Sequence, residues 1–286
     1  MNVLGSGSAN GGISLLHAFG LGRGSSVGIE LSTRVSIVEG PNREVVGDYH
    51  RLLDAVISTW NSEGLPNHGM FYWKVESNVP IGQGLKSSSA LACAALRALD
   101  SISWTGLSVE EIADLAVTSQ KLAKCTITGS LDDAWSSLSC GWKLVDPELP
   151  ASQSVLLEGE MDPGLEVLIG LRGIRSSTVS REKFSENSHL FERSLASIVN
   201  GAPLEALSAN GLAVAASTED FDALRICNHS IAHGAIASGM SGSGPAIAVI
   251  CYESDKETII ANLSDFGMDV ISTRFSTTES VVEEVH

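Results

Sequence analysis

The chain has 286 residues, about twice the length of a typical domain, so one large or two closely packed globular domains are expected. It carries 34 acidic and 18 basic side chains, a formal net charge of −16, and 43% of its residues are hydrophobic. This composition excludes a disordered chain, and the negative charge excludes a protein that wraps a nucleic-acid backbone. Anionic ligands must therefore be bound by local positive groups.

The cysteines and the N-terminus predict a cytoplasmic protein. Five scattered cysteines without a Cys-x-x-Cys pair indicate reduced thiols. The first charged residue is Arg23, so the basic start of a signal peptide is absent. The long uncharged stretch 226–252 contains glycines, a proline and two histidines, and it predicts a helix, a glycine loop and a strand rather than a membrane span.

Hydrophobic periodicity predicts a mixture of strands and helices along the chain. Alternating β-branched residues predict strands at 27–38, 70–76, 165–170 and 246–252. Helices are predicted at 88–100, 109–124, 181–199, 204–216, 220–235 and near 255–265. Ser108 followed by Glu111 has the pattern of a capping box. Turn residues at 147–150 and 162–164 indicate a domain boundary between residues 150 and 164.

The segment 80–90, Pro-Ile-Gly-Gln-Gly-Leu-Lys-Ser-Ser-Ser-Ala, is the most informative one. Gly82 and Gly84 allow a tight loop with exposed amides, and the serines that follow stand at a predicted helix N-terminus, where unpaired N–H groups and the helix dipole attract anions. Lys86 adds a positive charge, and a serine hydroxyl here can bind Mg²⁺ on nucleotide phosphates. From the local pattern alone, a strand-to-helix turn with serine caps is an equally good explanation.

Other motifs argue against several common classes of protein. The loop is not a Walker A motif, because Leu85 stands where a glycine is required before the lysine. The glycines at 20–24 have the wrong spacing for a Rossmann fingerprint and precede a strand-like run. His229 and His233 have the spacing of a zinc pair but lack a glutamate between them and a third ligand. No Gly-x-Ser-x-Gly elbow of a serine hydrolase occurs.

Four segments carry a resemblance to one family. Gly84-Leu-Lys-Ser-Ser-Ser-Ala90, after Pro80, resembles the phosphate-binding motif of the GHMP kinases (galactokinase, homoserine kinase, mevalonate kinase and phosphomevalonate kinase), and its Lys-Ser-Ser-Ser form resembles the archaeal-type shikimate kinase branch. Three more segments are similar to that branch, namely 11–31, Thr128-Gly-Ser-Leu-Asp-Asp-Ala134 and 234–246. Their order and spacing span nearly the whole chain.

The resemblance implies an α+β fold of two domains. The N-terminal domain, 1–155, is expected to resemble the second domain of ribosomal protein S5 and to carry the ATP-binding loop. The C-terminal domain, 156–286, is expected to be ferredoxin-like. ATP and the acceptor are expected in the cleft between the two domains.

The implied activity is transfer of the γ-phosphoryl group of ATP to a hydroxyl of shikimate, giving shikimate 3-phosphate and ADP in aromatic amino-acid biosynthesis. ATP and Mg²⁺ are the implied cofactors. The alternatives are another GHMP kinase activity, such as that of homoserine kinase, and a nucleotide-binding homologue without catalysis. The residues implied in binding ATP and its phosphates, with Ser88 also as a metal ligand, are Pro80, Gly82, Gly84, Leu85, Lys86, Ser87, Ser88 and Ser89.

Asp132 is implied as the group that accepts the proton of the attacking hydroxyl. In related kinases the catalytic aspartate follows a glycine by a few residues, as Asp132 follows Gly129. In an extended chain consecutive side chains point in opposite directions, so Asp133 is expected to hold structure or metal instead. Without the family context, two surface aspartates in a turn explain the pattern equally well.

The sequence departs from the family at two positions. A glutamate that often holds Mg²⁺ in related kinases corresponds here to Gln120, so metal binding by that helix is not expected. Many relatives also carry an N-terminal lysine near the catalytic aspartate, whereas this chain has no basic side chain before Arg23. Arg23 or Lys86 is expected to supply the missing charge.

Shikimate carries a carboxylate, so its pocket requires an arginine with bidentate reach. The candidates, each of which also fits a solvated loop arginine, are Arg23, Arg172 and Arg175. His17 is either a substrate-facing polar residue or a hydrogen-bonded helix histidine. The loop 241–245 allows close approach of backbone to a ligand, or forms a tight turn into a buried strand, and its candidate contacts are Gly242, Ser243 and Gly244. No nucleic-acid or membrane partner is expected, and the oligomeric state stays open.

Overall fold

The computed structural model describes residues 2–41, 43–126, 131–173, 179–277 and 282–283. The strands in these ranges are β1 (Val3–Leu16), β2 (Gly24–Glu39), β3 (Phe71–Ser77), β4 (Trp142–Val145), β5 (Val155–Gly159), β6 (Glu166–Leu171), β7 (Ala237–Met240), β8 (Ile247–Cys251), β9 (Asp269–Arg274) and β10 (Val282–Glu283). The helices are α1 (Ala18–Leu21), α2 (Leu52–Ser62), α3 (Ser87–Ser103), α4 (Val109–Leu122), α5 (Leu131–Leu138), α6 (Ala151–Ser154), α7 (Arg181–Glu186), α8 (Ser188–Val199), α9 (Pro203–Thr218), α10 (Phe221–Ala232) and α11 (Lys256–Asp265).

Within these ranges the strands form two antiparallel sheets. The larger sheet has the order β10-β1-β2-β4-β5, with β3 also paired to β2, and the smaller sheet has the order β7-β8-β6-β9. Antiparallel sheets with helices packed against them confirm the α+β class. The N–H of Ser276, just after β9, donates to the carbonyl of Gly28 in β2, so the end of the smaller sheet is linked to the larger one.

Most of the predicted elements are confirmed, with small changes at their ends. The capping box at the start of α4 is present, because the Ser108 hydroxyl accepts from the Glu111 N–H at 3.2 Å and the Glu111 carboxylate accepts from the Ser108 N–H at 2.8 Å. The single helix predicted at 181–199 is wrong. The chain forms α7 and α8 there, and Asn187 at φ −95°, ψ 14° interrupts the helical backbone between them.

The pattern did not predict β1, which is rich in glycine and serine rather than in β-branched residues. The reason lies in its packing, because α3 lies directly against this strand. A Cβ atom on Gly7 would stand 2.5 Å from Cβ of Arg97 in α3. The small residues that weaken the strand signal are therefore the ones that allow the helix to approach.

The predicted domain boundary between 155 and 156 stays a prediction. It coincides with the first residue of β5, which still pairs with β4 of the larger sheet. One hydrophobic cluster joins side chains of β1 and β2, such as Ile13 and Ile29, to β6, β8 and α8. Among the described residues, no helix combines the length and the apolar character needed to cross a membrane.

Candidate active site

A cavity of about 640 Å³ is lined by residues from both halves of the chain. The N-terminal half contributes β1, the loop before α3, and the first turns of α3 and α5, and the C-terminal half contributes Gly242 and Ser243. The rest of the wall comes mainly from the segment 45–52 and from Lys124, Cys125 and Thr126, which the sequence did not single out. The cavity therefore collects the predicted phosphate loop, the predicted proton acceptor and the predicted glycine loop around one space.

The loop that enters α3 has the backbone conformation that its glycines allow. Gly82 and Gly84 have φ values of 73° and 78°, in the left-handed region. The N–H groups at the start of α3 have no preceding turn to bond to, so they are available to an anion. Ser87 and Ser88 line the cavity there, whereas Ser89 is fully buried. Of the other predicted phosphate-binding residues, Gly82, Gly84, Leu85 and Lys86 also line the cavity, and Pro80 does not.

The C-terminal glycine loop, residues 241–245, packs against the predicted phosphate loop, residues 80–86. The Ser241 hydroxyl donates to the Gly84 carbonyl at 2.8 Å, and the Ala246 N–H donates to the Gln83 carbonyl at 3.3 Å. A Cβ atom on Gly84 would collide with the carbonyl oxygen of Ser241. The close approach of the two loops therefore requires glycine at position 84.

The expectation that Asp132 and Asp133 lie in an extended chain is wrong. Both residues lie in the first turn of α5. Asp132 is buried with 3% exposure, lines the cavity, and accepts from the Ser26 hydroxyl of β2 at 2.6 Å. Asp133 also lines the cavity. Consecutive residues of a helix are about 100° apart, and in this helix both side chains still reach the same cavity. Gly129, from which the position of the proton acceptor was inferred, lies outside the described residues.

Lys86 lies against these carboxylates. Its ammonium is 2.6 Å from Oδ1 of Asp133 and donates to the Ser14 hydroxyl of β1 at 2.6 Å, and its side chain is only 8% exposed. Burial alone would lower the pKa of this ammonium, but the charges of Asp133 and Asp132 outweigh burial and raise the pKa above its usual value. Lys86 therefore stays protonated at neutral pH.

Gln120 of α4 is in contact with the serines that begin α3. Its buried Oε1 accepts from the Ser89 hydroxyl at 3.1 Å and from the Ser88 hydroxyl at 3.3 Å. The Ser88 hydroxyl proton is directed to Gln120, so the lone pairs of its oxygen are left for a ligand in the cavity. Within the described ranges, no group of three or more histidine, cysteine or carboxylate side chains forms a metal site.

The predicted substrate arginines are not brought together at the cavity. Arg23 is exposed, and the guanidinium of Arg172 forms a bidentate pair with Asp220 at 2.7 and 3.0 Å. Neither residue lines the cavity, and Arg175 lies outside the described residues. The cations that do line its described wall are Lys86 and Lys124.

Two other predicted contacts are placed as follows. In the glycine loop, Gly242 and Ser243 line the cavity, and the N–H of Gly244 donates to the Ser241 carbonyl at 2.8 Å. His17 both lines the cavity and is the N-cap of α1, where its Nδ1 accepts from the Phe19 N–H at 3.2 Å. His17 is therefore a hydrogen-bonded histidine at the start of a helix, and its contact with a substrate stays a prediction.

Comparisons with known proteins give matches over most of the chain. Residues 50–141 match the family model described as the GHMP kinases N-terminal domain, and residues 204–268 match that of the GHMP kinases C-terminal domain. The shikimate kinase of Pyrococcus abyssi is 32% identical over 280 residues, covering 94% of this chain and 98% of that protein. The shikimate kinase of Thermococcus kodakarensis is 30% identical, covering 87% and 93%.

The fold has a close structural counterpart. The crystal structure of the Methanococcus jannaschii mevalonate kinase superposes with a TM-score of 0.75 at 16% sequence identity, covering 95% of this chain and 98% of that one. The expected two-domain kinase fold is thereby confirmed. From the two family models and the near full-length similarity to curated kinases, the chain belongs to the GHMP kinase family.

Proposed function

We propose that the chain transfers the γ-phosphoryl group of ATP to a hydroxyl of shikimate, giving shikimate 3-phosphate and ADP. As a GHMP kinase it is a phosphotransferase that acts on a small molecule with ATP as the phosphate donor. The observation that carries the proposal is one cavity lined by both the N-terminus of α3 and the carboxylate of Asp132. The choice of shikimate is supported by relatives of that name that are similar over most of the chain.

Asp132 is the proposed proton acceptor. The acceptor oxygen attacks the γ-phosphorus while the bond from that phosphorus to the ADP oxygen breaks, and the hydroxyl proton passes to the Asp132 carboxylate. Support comes from its place in the cavity and from Ser26, which holds Oδ2 at 2.6 Å. A carboxylate fixed in this way needs little rearrangement to receive the proton.

The triphosphate is proposed to bind at the start of α3. The candidate contacts are the backbone amides of the loop and of the first helical turn, which suit an anion because of their unpaired N–H groups and the helix dipole. These contacts follow the predictions for Gly82, Gly84, Leu85 and Ser87–Ser89. Ser241 supports the arrangement by holding the Gly84 carbonyl from the other side of the loop.

Mg²⁺ is proposed to accompany ATP, and the residues present fit a metal carried mainly by the nucleotide. Ser88 would hold it through the hydroxyl oxygen, whose proton is engaged by Gln120. Mg²⁺ keeps several waters and takes few protein ligands, so one hydroxyl beside phosphate oxygens is a suitable partner. When bound, the metal neutralises the charge that develops on the phosphate oxygens.

The residue that binds the acceptor carboxylate stays a prediction. Arg172 is already paired with Asp220, Arg23 does not line the cavity, and Arg175 lies outside the described residues, so the structure favours none of the three. Gly242 and Ser243 stay candidates for contact with the acceptor, since both line the cavity. The cytoplasmic location also stays a proposal, supported by the absence of a disulfide among the five cysteines, all of which lie within the described ranges.

The test is an ADP-release assay over a panel of small alcohols that includes shikimate, homoserine and mevalonate. We expect ADP release above the ATP-only background with shikimate alone. A signal with homoserine and none with shikimate would assign the chain to another branch. The Asp132→Asn variant is expected to lose transfer by about 10²- to 10⁴-fold while it still binds nucleotide. A wild-type protein that binds ATP but phosphorylates no alcohol would be a binding protein without catalysis.

A further inference from the structure

The backbone of Lys86 adopts a conformation that most side chains avoid. Its φ is 63°, in the left-handed region, between Gly84 and the first turn of α3. A residue with a side chain adopts this conformation only at a cost in free energy, and such residues persist where the surrounding structure holds them in place. Glycine would meet the backbone requirement without that cost. The contacts of the Lys86 side chain offer a reason for lysine rather than glycine at this position.

The side chain makes its contacts away from the amides that begin α3. The ammonium contacts Asp133 in α5 and Ser14 in β1, each at 2.6 Å, and it is largely shielded from solvent. Ser14 is itself 2% exposed, so this contact is buried on the strand side. Lys86 thus links three elements at one point: the loop before α3, the first turn of α5 and the C-terminal end of β1.

We infer that Lys86 is a positioning residue that acts on the proton-accepting side of the site through Asp133, rather than a ligand of the ATP phosphates. The inference rests on the proposed function. By fixing Asp133, the ammonium fixes the first turn of α5 and with it the adjacent Asp132. It also cancels one of two neighbouring negative charges that would otherwise repel each other and the triphosphate.

This role accounts for the missing N-terminal lysine, one of the two positions at which the sequence departs from the family. The chain lacks a basic side chain in β1, where Ser14 lies, and the ammonium that reaches Ser14 comes instead from the phosphate loop. Arg23, the other candidate for that charge, is exposed and does not line the cavity. Asp133 and Ser14 engage two of the three N–H donors of the Lys86 ammonium, which leaves at most one for a phosphate oxygen.

The experiment is a double-mutant cycle with Lys86→Met and Asp133→Asn, with Lys74→Met as the matched control. Lys74 is a lysine on β3, more than half exposed and paired with Glu76, so its replacement is expected to change nothing. For each protein, kcat, both KM values and the equilibrium Kd for ADP are measured. Each single variant removes one partner of a buried ion pair and can fail to fold for that reason. The double variant lacks both charges of the pair, so it can still be measured in that case.

We expect Lys86→Met to lower kcat by about 100-fold, in the range for a misplaced proton acceptor. In the Asp133→Asn background the same change is expected to alter kcat and the Kd for ADP by no more than about threefold, since its partner is already gone. A loss of about tenfold or more in ADP affinity in that background would identify Lys86 as a phosphate ligand and overturn the inference.

A second outcome would also overturn it. If the effects of Lys86→Met and Asp133→Asn on kcat multiply, the two residues act independently. Failure of the proposed function is a separate result, because the wild-type protein would then transfer phosphate to none of the alcohols. A wild-type protein that phosphorylates shikimate while the cycle shows no coupling would reject only the role of Lys86.

Discussion

The Cα atom of Gly24 lies directly against the carboxylate of Asp132, so that a Cβ atom at position 24 would collide with Oδ1 and Cγ of the aspartate. Gly24 is the first residue of β2, and its lack of a side chain leaves the space that Asp132 occupies. The position of the proposed proton acceptor therefore depends on a glycine more than a hundred residues earlier in the chain.

Replacement of Gly24 by alanine is expected to displace Asp132 and reduce kcat by about 100-fold, because an error of about 1 Å in a reacting group has this effect. ADP affinity should stay within about threefold, since the phosphate loop is not touched. The matched control is Gly69→Ala, where a Cβ atom meets nothing within 4 Å and no positive φ is required. Unchanged kcat in Gly24→Ala would contradict the assignment of Asp132.

The two glycines of the phosphate loop allow a test of how the C-terminal loop holds it. Gly84→Ala places a methyl group against the Ser241 carbonyl, whereas Gly82→Ala meets no atom within 4 Å, and both positions have a positive φ. Gly82→Ala should cost about 1 to 2 kcal/mol from backbone strain alone. Gly84→Ala should cost at least about 2 kcal/mol more because the loops must separate. Urea unfolding of both variants measures the difference in the free energy of unfolding. Equal losses of stability would show that the close approach of position 84 to the Ser241 carbonyl does not require glycine.

Gln120 provides a test of the proposed Mg²⁺ site. Gln120→Glu puts a carboxylate beside Ser88, and carboxylates are ligands that Mg²⁺ prefers. We expect the Mg²⁺ concentration at half-maximal activity to fall and, without Mg²⁺, the melting temperature to fall because a buried charge is left unpaired. Gln120→Met, which cannot accept the two serine hydroxyl protons, is the control and should raise the Mg²⁺ requirement. If neither variant changes the Mg²⁺ concentration at half-maximal activity, Gln120 does not influence Mg²⁺ binding.

Glu166 makes part of the stability depend on pH. Its buried carboxylate accepts from Lys256 at 2.8 Å and from Arg274 at 2.9 Å, and the hydrogen bond from Lys256, followed by that from Arg274, outweighs burial and lowers the pKa of Glu166 to about 2. Because the folded pKa lies below the unfolded value, the contribution is complete above about pH 4.5 and is lost as the pH falls toward 2.

Glu166→Gln should therefore lower the free energy of unfolding by about 1 to 3 kcal/mol at pH 7, and its difference from the wild type should shrink as the pH falls from about 4.5 to 2. The control is Glu158→Gln, which removes an ion pair whose glutamate side chain is 66% exposed and is expected to change little. Thermal unfolding over this pH range measures both. A difference that stays constant with pH would mean that folding does not lower the pKa of Glu166.

Local patterns were sufficient for most helices and for the glycine turn into α3, whereas the α+β class followed from the family resemblance. The sequence was insufficient for the geometry of the aspartates. Two consecutive acidic residues are compatible with an extended chain or a helix, and only packing against Ser26 and Lys86 distinguishes them. Arg172 shows the same limit, because nothing near it in the sequence indicates a partner 48 residues later.

The bond from Ser241 to the Gly84 carbonyl joins residues 157 positions apart, so the proposed nucleotide site is complete only once both regions of the chain exist. During synthesis the N-terminal part leaves the ribosome long before residue 241, and a nascent chain at that stage has the glycines and serines of the loop but not the support that shapes them. The proposed ATP site is therefore completed late in biosynthesis, after the last quarter of the polypeptide has begun to emerge.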